Sequence, residues 1–317
     1  MSKHHLERII GTFEGTLPGP LVVAIGAMHG NEPAGVKGLE MVFEALEQER
    51  RDNPNFEFRG KLIGIVGNAQ AFLQRQRFLE QDLNRAWTEA TIAQNQLLPQ
   101  ESLKAENREV FELQEYLLEV CQPFKDQKIA FLDLHTTSAD GGIFSIPTDE
   151  GESLQLAKHL GAPVILGLQE NITGTFLGFA IGGGFYQKGL VVPAPVCVAF
   201  EAGQHDSQRS ITRAALAVMR CLRAMNCLSN LELIDFAENV SHPFLAQVPA
   251  VVHFRYAHHI AAGDAFKMRP GYANFQPVKA GEHLADDVNG PVLSPENGLI
   301  LMPLYQAKGS DGFFIVR

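Results

Sequence analysis

His29 and Glu32 stand three residues apart in Gly26-Ala-Met-His-Gly-Asn-Glu-Pro33, at the end of an apolar run over residues 21–27. A neutral imidazole nitrogen and a carboxylate are both good zinc ligands, and a catalytic zinc usually takes three protein ligands and keeps a position for water. The pair therefore calls for a third ligand and a base. Asp133-Leu-His-Thr-Thr-Ser138 offers the ligand, because His135 emerges at the end of the apolar run 129–134. Asp133, two residues earlier, is a candidate partner to orient it. Glu201, in Phe200-Glu-Ala-Gly-Gln-His205, ends another apolar run and is the candidate base. A carboxylate beside zinc-bound water can take its proton as the water attacks a carbonyl, while the metal acidifies the water and polarises the carbonyl. Taken singly, these residues have plainer readings: a chance His-x-x-Glu among eleven histidines, or a glutamate capping a turn. Their shared placement at the ends of apolar runs favours the metal site.

A second group lies in Arg77-Phe-Leu-Glu-Gln-Asp-Leu-Asn-Arg85. An arginine fork binds a carboxylate by two parallel hydrogen bonds, and an asparagine adds a donor. Alone, Arg77, Asn84 and Arg85 read as a solvated loop. Beside a zinc site they suit a carboxylate-bearing substrate, with one arginine left for a developing oxyanion. The remaining histidines add nothing: His258 and His259 are adjacent and point apart in a strand, and His4 and His5 belong to a frayed terminus.

These residues need elements to position them. Residues 21–27, 62–66, 129–134, 164–168 and 196–200 read as buried strands. Helical spacing follows Pro33 and recurs over 104–121, 154–160 and 208–225. Strands alternating with helices predict an α/β fold with a mostly parallel or mixed sheet covered on both faces. Ligands bind such sheets at the carboxyl ends of strands, near a switch in strand order. Near residue 240 the pattern changes to short β-like runs over 251–255, 275–278, 299–303 and 312–316, which predicts an α/β domain over 1–240 and a small all-β module over 241–317. Within it, residues 278–285 followed by 290–300 resemble a lipoyl-like barrel-sandwich hairpin, whose tip Pro295-Glu-Asn-Gly298 has no lysine to carry a cofactor. The glycine-rich stretch 178–184 lacks the strand-then-helix setting of a phosphate loop and reads as a mobile loop on the substrate side.

With 317 residues, 45% of them hydrophobic and 20% charged, the chain can bury a sizeable core. A net charge of −10 disfavours nucleic acid and anionic membrane surfaces as partners. No run is long and apolar enough for a membrane span, the N-terminus lacks the apolar core of a signal peptide, and the four scattered cysteines read as reduced thiols of a cytoplasmic protein.

The motifs together resemble the succinylglutamate desuccinylase and aspartoacylase family, within the wider zinc carboxypeptidase superfamily. The resemblance is carried by His29-Gly-Asn-Glu-Pro33, Asn68-Ala-Gln-Ala71 with Arg77 and Asp82-Leu-Asn-Arg85, Asp133-Leu-His-Thr-Thr-Ser138 and Glu201-Ala-Gly203, over roughly residues 20–220. It implies that His29, Glu32 and His135 bind one zinc per chain, and that Glu201 activates water and later protonates the leaving amine. It implies that Arg77 polarises the scissile carbonyl and that Asn84 and Arg85 hold the substrate's α-carboxylate. Tyr305 resembles a tyrosine that reaches the site from the C-terminal part. One position departs: an arginine that helps aspartoacylase bind the aspartyl side chain is here Val191, with Lys188 as the nearest substitute. The expectation is a zinc-dependent amidohydrolase that deacylates a small N-acyl amino acid, with a homo-oligomer left open. The alternatives are a metallocarboxypeptidase acting on peptides, or a catalytically silent metal- or small-molecule-binding protein. The ligand set suits zinc and also admits cobalt or manganese.

Overall fold

The computed structural model describes residues 8–184, 194–228 and 247–317. His4, His5, Lys188, Val191 and the expected domain boundary at 240/241 lie outside the described residues. Two of the apolar runs form the heart of the sheet: β2 (Leu17–Gly26) and β4 (Ile129–Thr137) pair in parallel. β3 (Arg59–Val66) lies parallel to β2 on its other side, and β7 (Val196–Gln204) lies parallel to β4. A parallel strand is covered on both faces, so its residues are apolar whichever way they point. Alternate residues of β2 accordingly enter different cores. Val23 and Ile25 pack with Val110, Leu113 and Leu117 of the helix Ala105–Cys121. Val22 and Ala24 pack with Leu39, Val42 and Leu46 of the helix Ala34–Asp52, and with Ala214 and Val218 of the helix Gln208–Ala224.

This arrangement makes the crevice. The chain crosses from β2 to β3 on one side, while β4 occupies β2's other side, so the strand order reverses between β2 and β4. Their carboxyl ends diverge there into the place where open α/β sheets bind ligands. The β4–β7 ladder sets His135 directly beside Glu201.

The sheet extends in both directions. β1 (Ile9–Glu14) pairs antiparallel with β3 at one edge. On the other side come β5 (Phe144–Pro147), antiparallel to β7, then β6 (Val164–Leu166) and β8 (Val251–His259), followed by β14 (Asp311–Val316), β13 (Gly298–Leu301) and β10 (Pro277–Val278). A separate antiparallel sheet has the order β12 (Gly290–Leu293), β11 (His283–Asp287), β9 (Lys267–Met268). The fold is thus mixed α/β, with a mostly parallel centre flanked by helices and a small antiparallel sheet near the C-terminus.

Several local expectations are corrected. Residues 178–184 are not all loop: the helix Phe176–Ile181 forms, and the Thr175 hydroxyl accepts the Gly178 N–H at 3.0 Å as its cap. The strand expected over 275–278 shrinks to Pro277–Val278, because Phe275 takes a left-handed φ of 65°. The hairpin resembling a barrel sandwich turns between β11 and β12, whereas Pro295-Glu-Asn-Gly298 links β12 to β13 in the other sheet. β1 and β5 were not anticipated.

The loop that carries Arg77 and Asp82 is tied down from below. The buried Glu106 carboxylate accepts the backbone N–H groups of Leu79, Glu80 and Gln81 at 2.7, 3.0 and 3.2 Å, and Asn68 Nδ2 at 3.0 Å. Gly30 N–H donates to the Arg77 carbonyl at 3.1 Å, and a Cβ on Gly30 would lie 2.2 Å from the Ala71 backbone, so only glycine permits this approach. From the C-terminal part, Lys308 Nζ donates to the Phe78 carbonyl at 2.8 Å. Burial alone would raise the Glu106 pKa, but the donors outweigh it and hold it below the ordinary 4.5. A carboxyl lowered on folding stabilises fully above its unfolded pKa and loses that contribution as pH falls through the folded value. Glu106→Gln should therefore cost about 1–3 kcal/mol at pH 7, read by urea denaturation. The deficit should shrink as pH drops below 4.5; a deficit independent of pH contradicts the assignment.

Candidate active site

Ala27, at a left-handed φ of 54°, turns the chain out of β2 and presents His29. Glu32 follows in a tight turn, its N–H bonded to the His29 carbonyl at 3.0 Å. The end of β4 then fixes the carboxylate, with Thr136 N–H donating to Glu32 Oε2 at 2.9 Å. His29 Nδ1 lies 2.9 Å from Glu32 Oε1, and His135 Nδ1 lies 3.3 Å from Oε2. One ligand atom from each of these buried residues falls within 4.8 Å of the others, so the three can hold a metal ion.

Each imidazole is backed by a carboxylate. Asp82 Oδ1 lies 3.1 Å from His29 Nε2, and Asp133 Oδ2 lies 2.8 Å from His135 Nε2. Such partners orient a ligating histidine and raise its basicity. They leave both Nδ1 atoms facing Glu32, and this donor set fits a divalent ion. Burial alone would raise the Glu32 pKa, but His29 and His135 hold it well below the usual carboxylate range. Asp82 is also held low against its burial, by His29, Arg77 and Arg85. Burial opposes the charged form of His135, yet Asp133 and Glu32 raise its pKa well above the ordinary value. A metal ion would take over the charge-compensating role of that proton, so binding should release it.

Glu201 is buried beside His135, and its Oε2 has no hydrogen-bond partner among the described residues. Burial pushes its pKa up to about 7, with Glu32 and Asp133 adding to the rise and His135 and His29 opposing it. A carboxyl poised near neutrality can both take and return a proton. Arg77 lies against the ligand cluster: its Nη1 is 3.5 Å from Glu32 Oε1, its Nη2 is 2.9 Å from His29 Nε2, and Nη2 donates to Asp82 Oδ2 at 3.0 Å. Asn84 Oδ1 accepts the Phe176 N–H at 3.0 Å, which leaves Nδ2 to donate to a ligand. Arg85 donates to the Asn84 carbonyl at 2.8 Å and to Asp311 at 2.7 Å.

His29, Glu32, Arg77, Asn84, Arg85, Asp133, His135 and Glu201 line one cavity of about 120 Å³, together with Met302, Leu304 and Gln306 from the segment between β13 and β14 and Asp311 at the start of β14. The structure brings His29, Glu32, His135, Glu201, Arg77, Asn84 and Arg85 together. It does not bring Tyr305: that hydroxyl donates to the Arg269 carbonyl and accepts the Tyr272 N–H, both at 2.9 Å, while its neighbours Leu304 and Gln306 reach the cavity. His258 stacks on Phe313 with 5.3 Å between centroids, and His259 pairs with Asp311. All four cysteines are buried free thiols. Sequence reasoning missed the parts played by Asp82, Gln306 and Asp311. Asp82 stood inside a motif already singled out, but nothing local ties it to a histidine 53 positions away.

The chain belongs to the succinylglutamate desuccinylase/aspartoacylase family: the profile of that family's catalytic domain matches residues 18–225. It is 31% identical over 185 residues to a probable aspartoacylase of Acaryochloris marina (strain MBIC 11017); the match covers 54% of this chain and 57% of the relative, little more than half of its length. Among solved structures, a succinylglutamate desuccinylase/aspartoacylase from Rhodobacter sphaeroides superposes with a TM-score of 0.60 at 17% identity, covering 96% of this chain and 87% of the other. Murine aminoacylase 3 superposes with a TM-score of 0.58 at 20% identity, covering 95% of each chain. These likenesses speak for the fold.

Removing either outer carboxylate, by Asp82→Ala or Asp133→Ala, should weaken zinc binding about 10–100-fold. Competition with a chromophoric chelator at pH 7 reads this, with circular dichroism as the check on folding. Folded variants with unchanged affinity would contradict the orienting role.

Proposed function

We propose that this chain is a zinc-dependent amidohydrolase that deacylates an N-acyl amino acid. The observation that carries the reading is the buried His29-Glu32-His135 set beside a buried Glu201 whose Oε2 has no hydrogen-bond partner among the described residues. Zinc held by these three residues would supply a lowered water pKa and a polarised acyl carbonyl. Glu201 takes the proton of the attacking water and returns it to the leaving amine. Arg77, against the ligand cluster, offers N–H groups to the oxyanion. Asn84 and Arg85 line the cavity, which supports their use as donors for the substrate's carboxylate. The products are a carboxylic acid and a free amino acid.

Two features support a small acylated substrate over a peptide. Met302, Leu304 and Gln306, in the segment between β13 and β14, line the cavity of about 120 Å³, a size that suits a small substrate. Family membership and the aspartoacylase and aminoacylase names of its relatives point the same way. Retention of Glu201 speaks against a silent binding protein, which would have no need of a base.

The test is a hydrolysis screen of zinc-loaded protein, pairing acetyl, succinyl and formyl groups with acidic, neutral and basic amino acids. Glu201→Gln should lower kcat on the best substrate by about 10²–10⁴-fold, with zinc still bound one to a chain. Turnover that survives the substitution would sink the assigned role.

A further inference from the structure

Arg85, the guanidinium offered to a substrate carboxylate, is already engaged. Its Nη2 donates to Asp311 Oδ2 at 2.7 Å and its Nη1 to the Asn84 carbonyl at 2.8 Å. Asp311 opens β14 and meets Arg85 across 226 positions of sequence. It is held from its other side as well. His259 Nδ1 lies 2.7 Å from Oδ1, and Ser310 Oγ donates to Oδ2 at 3.2 Å. The Asp311 side chain is only 12% exposed, so its charge is felt inside the cavity it lines.

The charge of that lining decides what can enter. Arg77 and Arg85 are its guanidinium groups; Glu32, Asp133, Glu201 and Asp311 are its carboxylates. A bound divalent ion brings these charges into balance, and Asp82 behind Arg77 adds one more negative charge. Arg85 has more N–H donors than its two contacts use, so with Asn84 it can still hold one carboxylate. A second carboxylate meets no uncompensated cation among the described residues lining the cavity, and it meets Asp311 at close range. Like charges placed together in a partly buried site work against a ligand and so help to discriminate it from its rival.

We propose that Asp311 is the specificity-determining residue of this site. It selects N-acyl amino acids whose amino-acid part carries one carboxylate and a neutral or positively charged side chain, and rejects dicarboxylic ones. This rests on the deacylase reading above and narrows it.

The test compares zinc-loaded wild type, Asp311→Asn and Asp311→Glu on N-acetylated aspartate, methionine and lysine. Wild type should favour the methionine and lysine substrates. Asp311→Asn should raise kcat/KM for the aspartate substrate relative to methionine by about tenfold, the scale of one partly buried charge. The gain should come mainly through KM, while the lysine substrate loses. Asp311→Glu should keep the wild-type order, a pattern that mere loosening of β14 would not produce. A wild type that prefers the aspartate substrate, or an Asp311→Asn protein with unchanged ratios, overturns the proposal. Calorimetric binding of the same three compounds to zinc-loaded Glu201→Gln protein, with and without Asp311→Asn, reads selectivity without turnover. Absent hydrolysis therefore sinks the deacylase reading by itself. Equal binding of the three compounds, or none, sinks the role of Asp311.

Discussion

The Glu32 carboxylate, buried between the Nδ1 atoms of His29 and His135, is the contact on which the rest of the site depends. Asp82, Asp133 and Glu201 crowd the same two imidazoles. Buried carboxylates are costly unless they are paired, and here the compensating charge comes from the imidazoles and Arg77. That explains the directions of the shifts: Glu32 and Asp82 are held ionised against burial, and His135 is held protonated. Glu201 is buried and its Oε2 finds no hydrogen-bond donor among the described residues, so burial raises its pKa toward neutrality although His135 and His29 oppose the rise. One arrangement thus gives neighbouring carboxylates opposite shifts, Glu32 and Asp82 downward and Glu201 upward.

Parallel pairing sets the positions in this arrangement, with packed cores on both faces of the sheet. The register of β2, β4 and β7 fixes where their carboxyl ends stop, and the ladder alone puts His135 beside Glu201. Arg77 and Asp82 lie on a loop instead, and that loop is held by Glu106, Gly30 and Lys308. The C-terminal strands join the same sheet through β6 and β8; β14 brings Asp311 to the cavity, and the segment between β13 and β14 brings Gln306.

Strands buried on both faces announce themselves as continuous apolar runs, which is why β2, β4 and β7, and hence the meeting of His29, Glu32, His135 and Glu201 at their ends, could be read from the sequence. Other parts carry no such mark. β5 is four residues long. Phe275 sits in a run that looks extended, yet it leaves the strand through a left-handed turn. Glycines hid the helix Phe176–Ile181, which its Thr175 cap stabilises. The pairing of Arg85 with Asp311 is a long-range ion pair that leaves no periodicity to find. Tyr305 was placed by resemblance in a region with little local constraint, and its hydroxyl turns to the backbone of Arg269 and Tyr272.

The central claim is that a metal ion sits among His29, Glu32 and His135, with Asp82 and Asp133 behind the imidazoles. Crystals of the zinc-loaded protein, measured on both sides of the zinc absorption edge, test it most directly. The account predicts an anomalous peak within bonding distance of His29 Nδ1, a Glu32 oxygen and His135 Nδ1, with Glu201 facing its open side. A peak elsewhere in the chain, or coordination through the Nε2 atoms that Asp82 and Asp133 now occupy, would contradict it.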